Sequence, residues 1–257
     1  MFNCGVGNTE RHQRIIDALR EAGRLGVAEL AALTGASEMT IRRDLELLAT
    51  DGVLERYRGG ARSLLLRGEE PPFALRAREG QEAKRRIGAE VAGLLADGES
   101  VVLDAGTTCL EVARALESRR LTVMPLSLHA ANALAAAPRL TLLLPGGRPR
   151  PGELSLTGPL TLASLAAVRF DTAVLGCCGL TAADGLTAYD LDDAAVKRAA
   201  LAAARRVIAV APAPKLSRTA LATVAPADAL HTVVTDARAP REETEALDGA
   251  GVRVLRV

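Results

Sequence analysis

The chain has no tryptophan, and aromatic residues make up only 2% of its 257 positions. Alanine, leucine and valine must therefore fill the interior, so an aliphatic core is expected. Four cysteines (Cys4, Cys109, Cys177, Cys178) form no C-x-x-C pair, and no histidine stands at metal-ligand spacing. That pattern excludes a zinc module and a disulfide scaffold and suits a reducing cytoplasm, with no metal and no cofactor expected. A long apolar run is also missing. Leu121 to Leu144 is broken by Pro125, His129, Pro138 and Arg139, and Met1 to Thr9 has neither a basic flank nor an apolar stretch. No spanning helix and no secretory leader is read, so a cytoplasmic protein without a membrane partner is expected. Excess charge of one sign is absent too, the formal net charge being +1. Any affinity for nucleic acid must come from local placement of arginine.

What the chain does have is 49% apolar residues, ample for a buried core, in a length that suits a small module followed by a larger one. The most informative stretch is Ser37-Glu38-Met39-Thr40-Ile41-Arg42-Arg43-Asp44-Leu45. Ser37 is a good N-cap and Asp51-Gly52 a C-terminal stop, which predicts a helix from about Ser37 to Thr50. Ile41, Leu45 and Leu48 recur at helical spacing and face a core, leaving Met39, Arg42, Arg43 and Glu46 outside. Arginine near a helix N-terminus can reach phosphates or the O6 and N7 of guanine. A surface helix with solvated charges is the plain alternative. Upstream, Thr9 can cap a helix with Ile15, Ile16 and Leu19 inward, ending near Gly23. A second helix follows with Val27, Leu30, Ala31 and Leu33, and Thr34-Gly35-Ala36 makes the turn. Downstream, Val53 to Tyr57 alternates like a strand, Arg58-Gly59-Gly60 turns, and Ala61 to Leu66 can return as its partner. Together these segments predict a winged helix-turn-helix. Its wing carries Arg56, Arg58 and Arg62 beside Gly59 and Gly60, which let the backbone approach phosphate closely.

Arg67 to Gly80, with Gly68 and Pro71-Pro72, reads as a linker holding one helical piece at Phe73 to Arg78. From Glu82 the pattern alternates. Strands are expected at 100–103, 121–124, 140–144, 171–175, 207–210, 231–235 and 252–255, separated by helices. This predicts an α/β fold with a mostly parallel sheet covered on both faces. The expected organisation is a DNA-binding domain over 1–66, a linker over 67–81 and an α/β domain over 82–257. In such sheets ligands bind at the carboxyl ends of strands, where the strand order reverses. There Asp104-Ala105-Gly106-Thr107-Thr108 joins a strand to a helix, and it offers a close backbone turn, two hydroxyls and unpaired N–H groups: a cradle for an anion. Thr is also an ordinary helix cap. Gly147 in Gly146-Gly147-Arg148 and the scarce lysines Lys197 and Lys215 stand on neighbouring segments.

These residues resemble the DeoR family of bacterial transcription regulators. The likeness rests on Glu29-Leu30-Ala31, the T-I-R-R-D-L helix and Gly52-Val53-Leu54-Glu55-Arg56-Tyr57-Arg58-Gly59-Gly60-Ala61. It continues in the second domain through Asp104, Gly106, Thr107, Thr108, Gly146-Gly147, Gly158, Asp171, Gly185-Leu186-Thr187, Val196-Lys197-Arg198 and Lys215. The resemblance implies a sensor domain related to ribose-5-phosphate isomerase, double-stranded operator DNA as one partner, a homodimer or higher homo-oligomer, and a phosphorylated sugar or related effector. Ser37, Met39, Thr40, Arg42, Arg43, Arg58, Gly59 and Gly60 are the expected DNA-contacting residues. Asp104, Gly106, Thr107, Thr108, Gly147, Lys197 and Lys215 are the expected effector-binding residues, with the phosphate near the G-T-T turn and its charge answered by lysine. The chain departs from the family at Pro125-Leu126, where Thr-Asn is common, and at Pro212-Ala213-Pro214, where an Asp and two Ser are common. Loss of those polar groups removes hydrogen bonds that discriminate sugar hydroxyls. The expected function is a repressor of a sugar or carbohydrate operon and not an enzyme. Two other readings stay open: a DNA-binding regulator answering to a protein partner or to the Cys177-Cys178 thiols, and a sugar-phosphate isomerase using carboxylates such as Asp104, Asp184 or Asp190.

Overall fold

A computed structural model describes residues 6–50, 52–64 and 70–257, with side chains from residue 11 onward. The chain divides into two compact units, Met1–Glu79 and Gly80–Val257.

The first unit contains α1 (Val6–Ala22), β1 (Arg24–Gly26), α2 (Val27–Thr34), α3 (Glu38–Thr50), β2 (Leu54–Tyr57), β3 (Gly60–Ser63) and α4 (Phe73–Arg78). Its core is the set the periodicity selects. Ile15, Ile16 and Leu19 of α1 meet Val27 and Leu30 of α2 and Ile41, Leu45 and Leu48 of α3, all buried. Three expectations change. The first helix begins at Val6, so Thr9 lies inside it rather than capping it. Leu33 is exposed, because the last turn of α2 projects it away from the α1–α3 contact. A strand unforeseen in the sequence, β1, pairs antiparallel with β3, giving a sheet ordered β1-β3-β2. The return strand ends at Ser63, and the expected residues Leu65 and Leu66 lie outside those described, as does Asp51 of the helix stop. Residues 67–69 of the expected linker are likewise outside the described set. Its remainder contains α4, whose Leu75 is buried in the core of the first unit.

The second unit contains α5 (Gln81–Leu94), β4 (Ser100–Leu103), α6 (Thr107–Ala115), β5 (Thr122–Pro125), α7 (Leu128–Leu134), β6 (Thr141–Leu142), β7 (Arg148–Pro149), β8 (Leu156–Thr157), α8 (Pro159–Ala166), β9 (Phe170–Gly176), β10 (Gly179–Thr181), β11 (Gly185–Ala188), α9 (Leu191–Ala202), β12 (Ala204–Val210), β13 (Ala222–Ala225), β14 (Thr232–Thr235), α10 (Arg241–Gly249) and β15 (Arg253–Arg256). Among the described residues a seven-stranded sheet runs β15-β14-β12-β9-β4-β5-β6, with every neighbouring pair parallel. Side chains alternate along each strand, as period two requires. Val101, Leu103, Val174, Ile208 and Val210 face α5, α6 and α7. Val102, Ala173, Leu175 and Ala209 face α8, α9, α10 and a small sheet ordered β10-β11-β13. Both faces are aliphatic and both are covered, so the strands read as continuous apolar runs. The strand order reverses between β4 and β9, which places the crevice at the carboxyl ends of those two strands.

Candidate functional site: a nucleic-acid face and an anion-binding switch point

The first unit presents α3 as a capped helix with one charged face outward. Ser37 stands at its start: its Oγ accepts from the Thr40 N–H at 3.2 Å and lies 2.9 Å from the Thr40 hydroxyl. Arg42 is exposed and paired with Glu38, 3.1 Å away and one turn earlier. Arg43 is exposed and makes no hydrogen bond or ion pair with the described residues, while Met39 projects beside it, 65% exposed. Arg43 is thus the arginine of this helix whose charge the chain leaves unanswered.

The wing arginines divide in the same way. Arg56 reaches Glu46 on α3 at 2.7 Å, tying wing to helix, and Arg62 donates to Glu55 on the neighbouring strand at 2.8 Å. Arg58 sits in the two-residue turn between paired Tyr57 and Gly60, exposed and without a partner among the described residues. Gly59 beside it has φ +96° and open space where a side chain would stand. Gly60 is required by packing as well: a Cβ there would strike the Leu25 carbonyl of β1 and come within 2.6 Å of the Tyr57 hydroxyl. The added strand β1 requires it.

Asp44 is the functional residue of this unit that periodicity missed. It is buried, 5% exposed, with Arg11 Nε at 2.6 Å and Arg11 Nη2 at 3.1 Å, and with His12 Nε2 at 2.9 Å. Burial alone would raise its carboxyl, but the hydrogen bonds from Arg11 and His12 outweigh it and hold the group below its ordinary value. A signal was present: Asp44 falls three residues after Ile41 and four before Leu48, on the buried stripe. A charged residue at such a position needs a partner.

In the second unit the sequence-expected Asp104 and Lys197 meet at the reversal of strand order. Asp104 directly follows β4 and is 1% exposed; its Oδ2 accepts the N–H of Gly176, at the end of β9, at 2.8 Å. Lys197, buried on α9, donates to the same oxygen and lies 3.4 Å from Asp193 one helical turn earlier. Burial alone would lower the ammonium, but Asp104 and Asp193 together hold it well above its ordinary value. Burial pushes the Asp104 carboxyl up, Lys197 pulls it down, and Asp193 adds to the rise. Asp193 was not singled out in the sequence, although its spacing of four from Lys197 on a helix would have revealed it.

Gly106, with φ +100°, precedes α6 and has open space over it. The N–H groups of Thr107, Thr108 and Cys109 in the first turn have no acceptor among the described residues, and both threonines are largely buried. This is the arrangement that binds anions at a helix N-terminus. Lys215 stands in a short 3-10 turn (Ala213–Lys215) after β12, on the same carboxyl edge, two strands from β4. Gly147, expected at the effector site, is also constrained by packing. A Cβ there would strike the Thr161 hydroxyl of α8 and come within 2.8 Å of the Thr157 carbonyl, so packing accounts for the glycine. Leu126, standing where the family commonly has a polar residue, is 1% exposed and belongs to the core. Cys109 is buried against Asp104, and burial pushes its thiol well above the usual range.

Two family profiles match the chain: the DeoR-like helix-turn-helix domain over residues 11–65 and the DeoR C terminal sensor domain over residues 79–237. A glycerol-3-phosphate regulon repressor of Escherichia coli is 31% identical over 90% of this chain and 92% of its own length. The HTH-type transcriptional regulator GlpR of Haloferax volcanii is 30% identical over 96% of each chain. The HTH-type transcriptional repressor GlcR of Bacillus subtilis is 30% identical over 96% of this chain and 95% of its own. Among solved structures, ribose 5-phosphate isomerase A of Methanocaldococcus jannaschii aligns over 54% of this chain and 55% of its own, at 15% identity and a TM-score of 0.41. No helix of the described residues is long and apolar enough to cross a membrane. With both of its units matched by the family profiles, and with relatives aligned along nearly its whole length, the chain belongs to the DeoR family of transcription regulators.

Proposed function

We propose that this protein is a cytoplasmic repressor of a sugar or carbohydrate operon, whose hold on double-stranded operator DNA is altered by a phosphorylated sugar or a related metabolite. One observation carries this reading: the same chain holds exposed, unanswered arginines on a capped helix and its wing, and an open helix N-terminus beside a buried Asp–Lys–Asp cluster. In the DNA role, Ser37, Met39, Thr40, Arg42 and Arg43 face the groove while Arg58 and Gly59 approach phosphate. In the effector role, the phosphate sits on the N–H groups at Gly106 to Thr108, with Lys197 and Lys215 supplying positive charge. Asp104, itself buried, holds Lys197 in place for that charge.

A homodimer or higher oligomer follows from the way helix-turn-helix proteins read paired half-sites. Catalysis is not part of the proposal. Asp104 is buried and its Oδ2 is engaged by both Gly176 and Lys197, so it is poorly placed to serve as a mobile base. The relatives named as glycerol-3-phosphate and GlcR repressors point the same way.

The test is a band-shift titration on DNA upstream of the protein's own gene and its neighbours, repeated at several salt concentrations. A specific sequence bound with a steep salt dependence, and released or tightened by one of a panel of sugar phosphates, is the expected result. Binding at only the non-specific level to every sequence would overturn it.

A further inference from the structure

The β7–β8 hairpin lies over the carboxyl edge of the sheet. It is fastened to the end of β5 by Leu156 N–H to the Leu126 carbonyl at 2.8 Å and by Leu128 N–H to the Leu154 carbonyl at 3.0 Å. Leu126 N–H in turn donates to the Leu103 carbonyl of β4 at 2.7 Å, one residue before Asp104. From that anchor the hairpin reaches the first turn of α9, the helix that carries Asp193 and Lys197. Arg150 Nη1 lies 3.4 Å from Asp190 Oδ2, and Arg148 Nη2 lies 3.8 Å from Asp192 Oδ2. The hairpin thus spans from the β5 side of the switch point to the α9 side, with two guanidinium groups at its far end.

The backbone of Arg150 is held on both sides, its N–H by the Ser155 carbonyl and its carbonyl by the Leu154 N–H, each at 2.8 Å. Its side chain is presented from a fixed point. The ion pairs themselves are loose. Each is a single long contact, and the Arg148–Asp192 pair is 78% and 66% exposed, so solvent screens it and it holds weakly. A phosphate monoester offers the same arginines two parallel, charge-assisted hydrogen bonds and a larger charge. Exchange of partner is therefore favourable wherever such a group is within reach.

We propose that Arg148 and Arg150 are phosphate-binding residues, and that the hairpin is a latch in which Asp192 and Asp190 hold the arginines until the effector's phosphate takes their place. This rests on the effector reading given above and adds to it the residues that distinguish a doubly charged phosphate ester from a neutral sugar. Asp190 has two separable duties. Its Oδ1 caps α9 by accepting the Asp193 N–H at 2.8 Å, and its Oδ2 faces Arg150. Asparagine keeps the cap and removes the charge.

Calorimetric titration of the full chain with glycerol 3-phosphate, glucose 6-phosphate, fructose 1-phosphate, inorganic phosphate and glycerol tests the latch. For any ester that binds the parent, Arg148→Gln with Arg150→Gln is expected to weaken binding at least tenfold. Asp190→Asn with Asp192→Asn is expected to strengthen it several-fold. That gain should vanish when all four substitutions are combined, because no arginine is left to be released. An arginine-free variant that binds like the parent overturns the latch and leaves the effector reading standing. A gain from the asparagines that persists without the arginines also overturns it, since simple repulsion would then suffice. If no phosphate compound binds the parent chain, the effector reading fails and the latch falls with it. If inorganic phosphate binds as tightly as an ester, the latch stands and the organic part of the ligand goes unread. Unchanged unfolding temperatures of the variants exclude misfolding as the cause.

Discussion

The carboxylate of Asp44 lies 2.6 Å from Nε of Arg11, an ion pair that joins α3, the helix bearing the exposed arginines, to α1 beneath it. His12 Nε2 donates to the other oxygen, 2.9 Å away. Orientation of α3 thus depends on a buried polar contact as well as on the Ile41, Leu45 and Leu48 stripe. Asp44→Asn is expected to destabilise the first unit by about 3 kcal/mol at neutral pH, because it removes the buried negative charge that Arg11 and His12 both address. The folded carboxyl is held below its unfolded value of about 3.9, so the contribution is complete above that value and is lost as the pH falls through the folded one. Calorimetric unfolding should therefore show parent and variant converging as the pH drops below about 3.9. A gap that stays constant down to pH 2 would mean the charge is not what stabilises the contact.

Arg43 and Arg58 should fail differently. Arg43 stands on the outward face of α3 with no partner among the described residues, so Arg43→Ala should cost about 1–3 kcal/mol of binding to the preferred sequence and relax the choice of base at one position in each half-site. Arg58 stands on the wing turn and, in the proposed DNA role, meets the phosphate backbone. Arg58→Ala should weaken all sequences alike and lower the slope of log affinity against log salt by about one. Randomised-operator selection and salt titration separate the two outcomes, and parental behaviour in both variants would remove α3 and the wing as the readers.

Much of this molecule is legible from apolar spacing. All seven strands of the parallel sheet were expected within a few residues of where they lie, since buried parallel strands read as short apolar runs between helices. The strands that escaped, β1, β7, β8, β10, β11 and β13, are two to four residues long and set by contacts distant in sequence. Leu25-Gly26 becomes strand only because Ala61-Gly60 lies opposite it. The site was legible where a residue type is costly to bury, as with Asp104 and Lys197. It was illegible where a main-chain group does the work, as with the Gly176 N–H. The reasons for Gly60 and Gly147 also escaped, because a glycine needed for close packing and one needed for ligand approach look alike in a sequence.

The two wing glycines make that distinction measurable. Gly60→Ala places a methyl against the Leu25 carbonyl and the Tyr57 ring, and backbone cannot easily yield, so a loss of about 2–3 kcal/mol is expected for the first unit. Gly59→Ala meets no neighbour and carries only the penalty of φ +96°, about 1–2 kcal/mol. If Gly59 serves phosphate approach, its alanine variant should lose operator affinity at temperatures where it remains folded, whereas Gly60→Ala should lose affinity only as it unfolds. Equal unfolding temperatures for the two variants would count against the packing role given to Gly60.

Among the described residues Lys197 is the cation in contact with Asp104, and its removal tests what the buried cluster contributes. Lys197→Met keeps most of the volume and deletes the charge, leaving Asp104 and Asp193 as neighbouring carboxylates in a site that excludes water. A loss of about 3–5 kcal/mol at neutral pH is expected, as for other buried pairs that lose one member. The pH dependence gives the sharper test. Burial and Asp193 already push Asp104 upward, and without Lys197 only backbone N–H groups such as those of Ala105 and Gly176 oppose them, so the folded variant should take up a proton more readily than the unfolded chain does. Stability of the variant should then rise as the pH falls from neutrality toward the unfolded carboxyl's value of about 3.9, whereas the parent, with Lys197 held charged far above that range, should show less of that rise. Asp104→Asn in the same background should remove both the neutral-pH loss and the slope, but it should not restore effector binding, since the charge facing the ligand stays absent. Denaturant unfolding across that range decides the matter: a pH-independent Lys197→Met variant would show that the carboxylates escape to solvent and that the cluster is not the closed site described above.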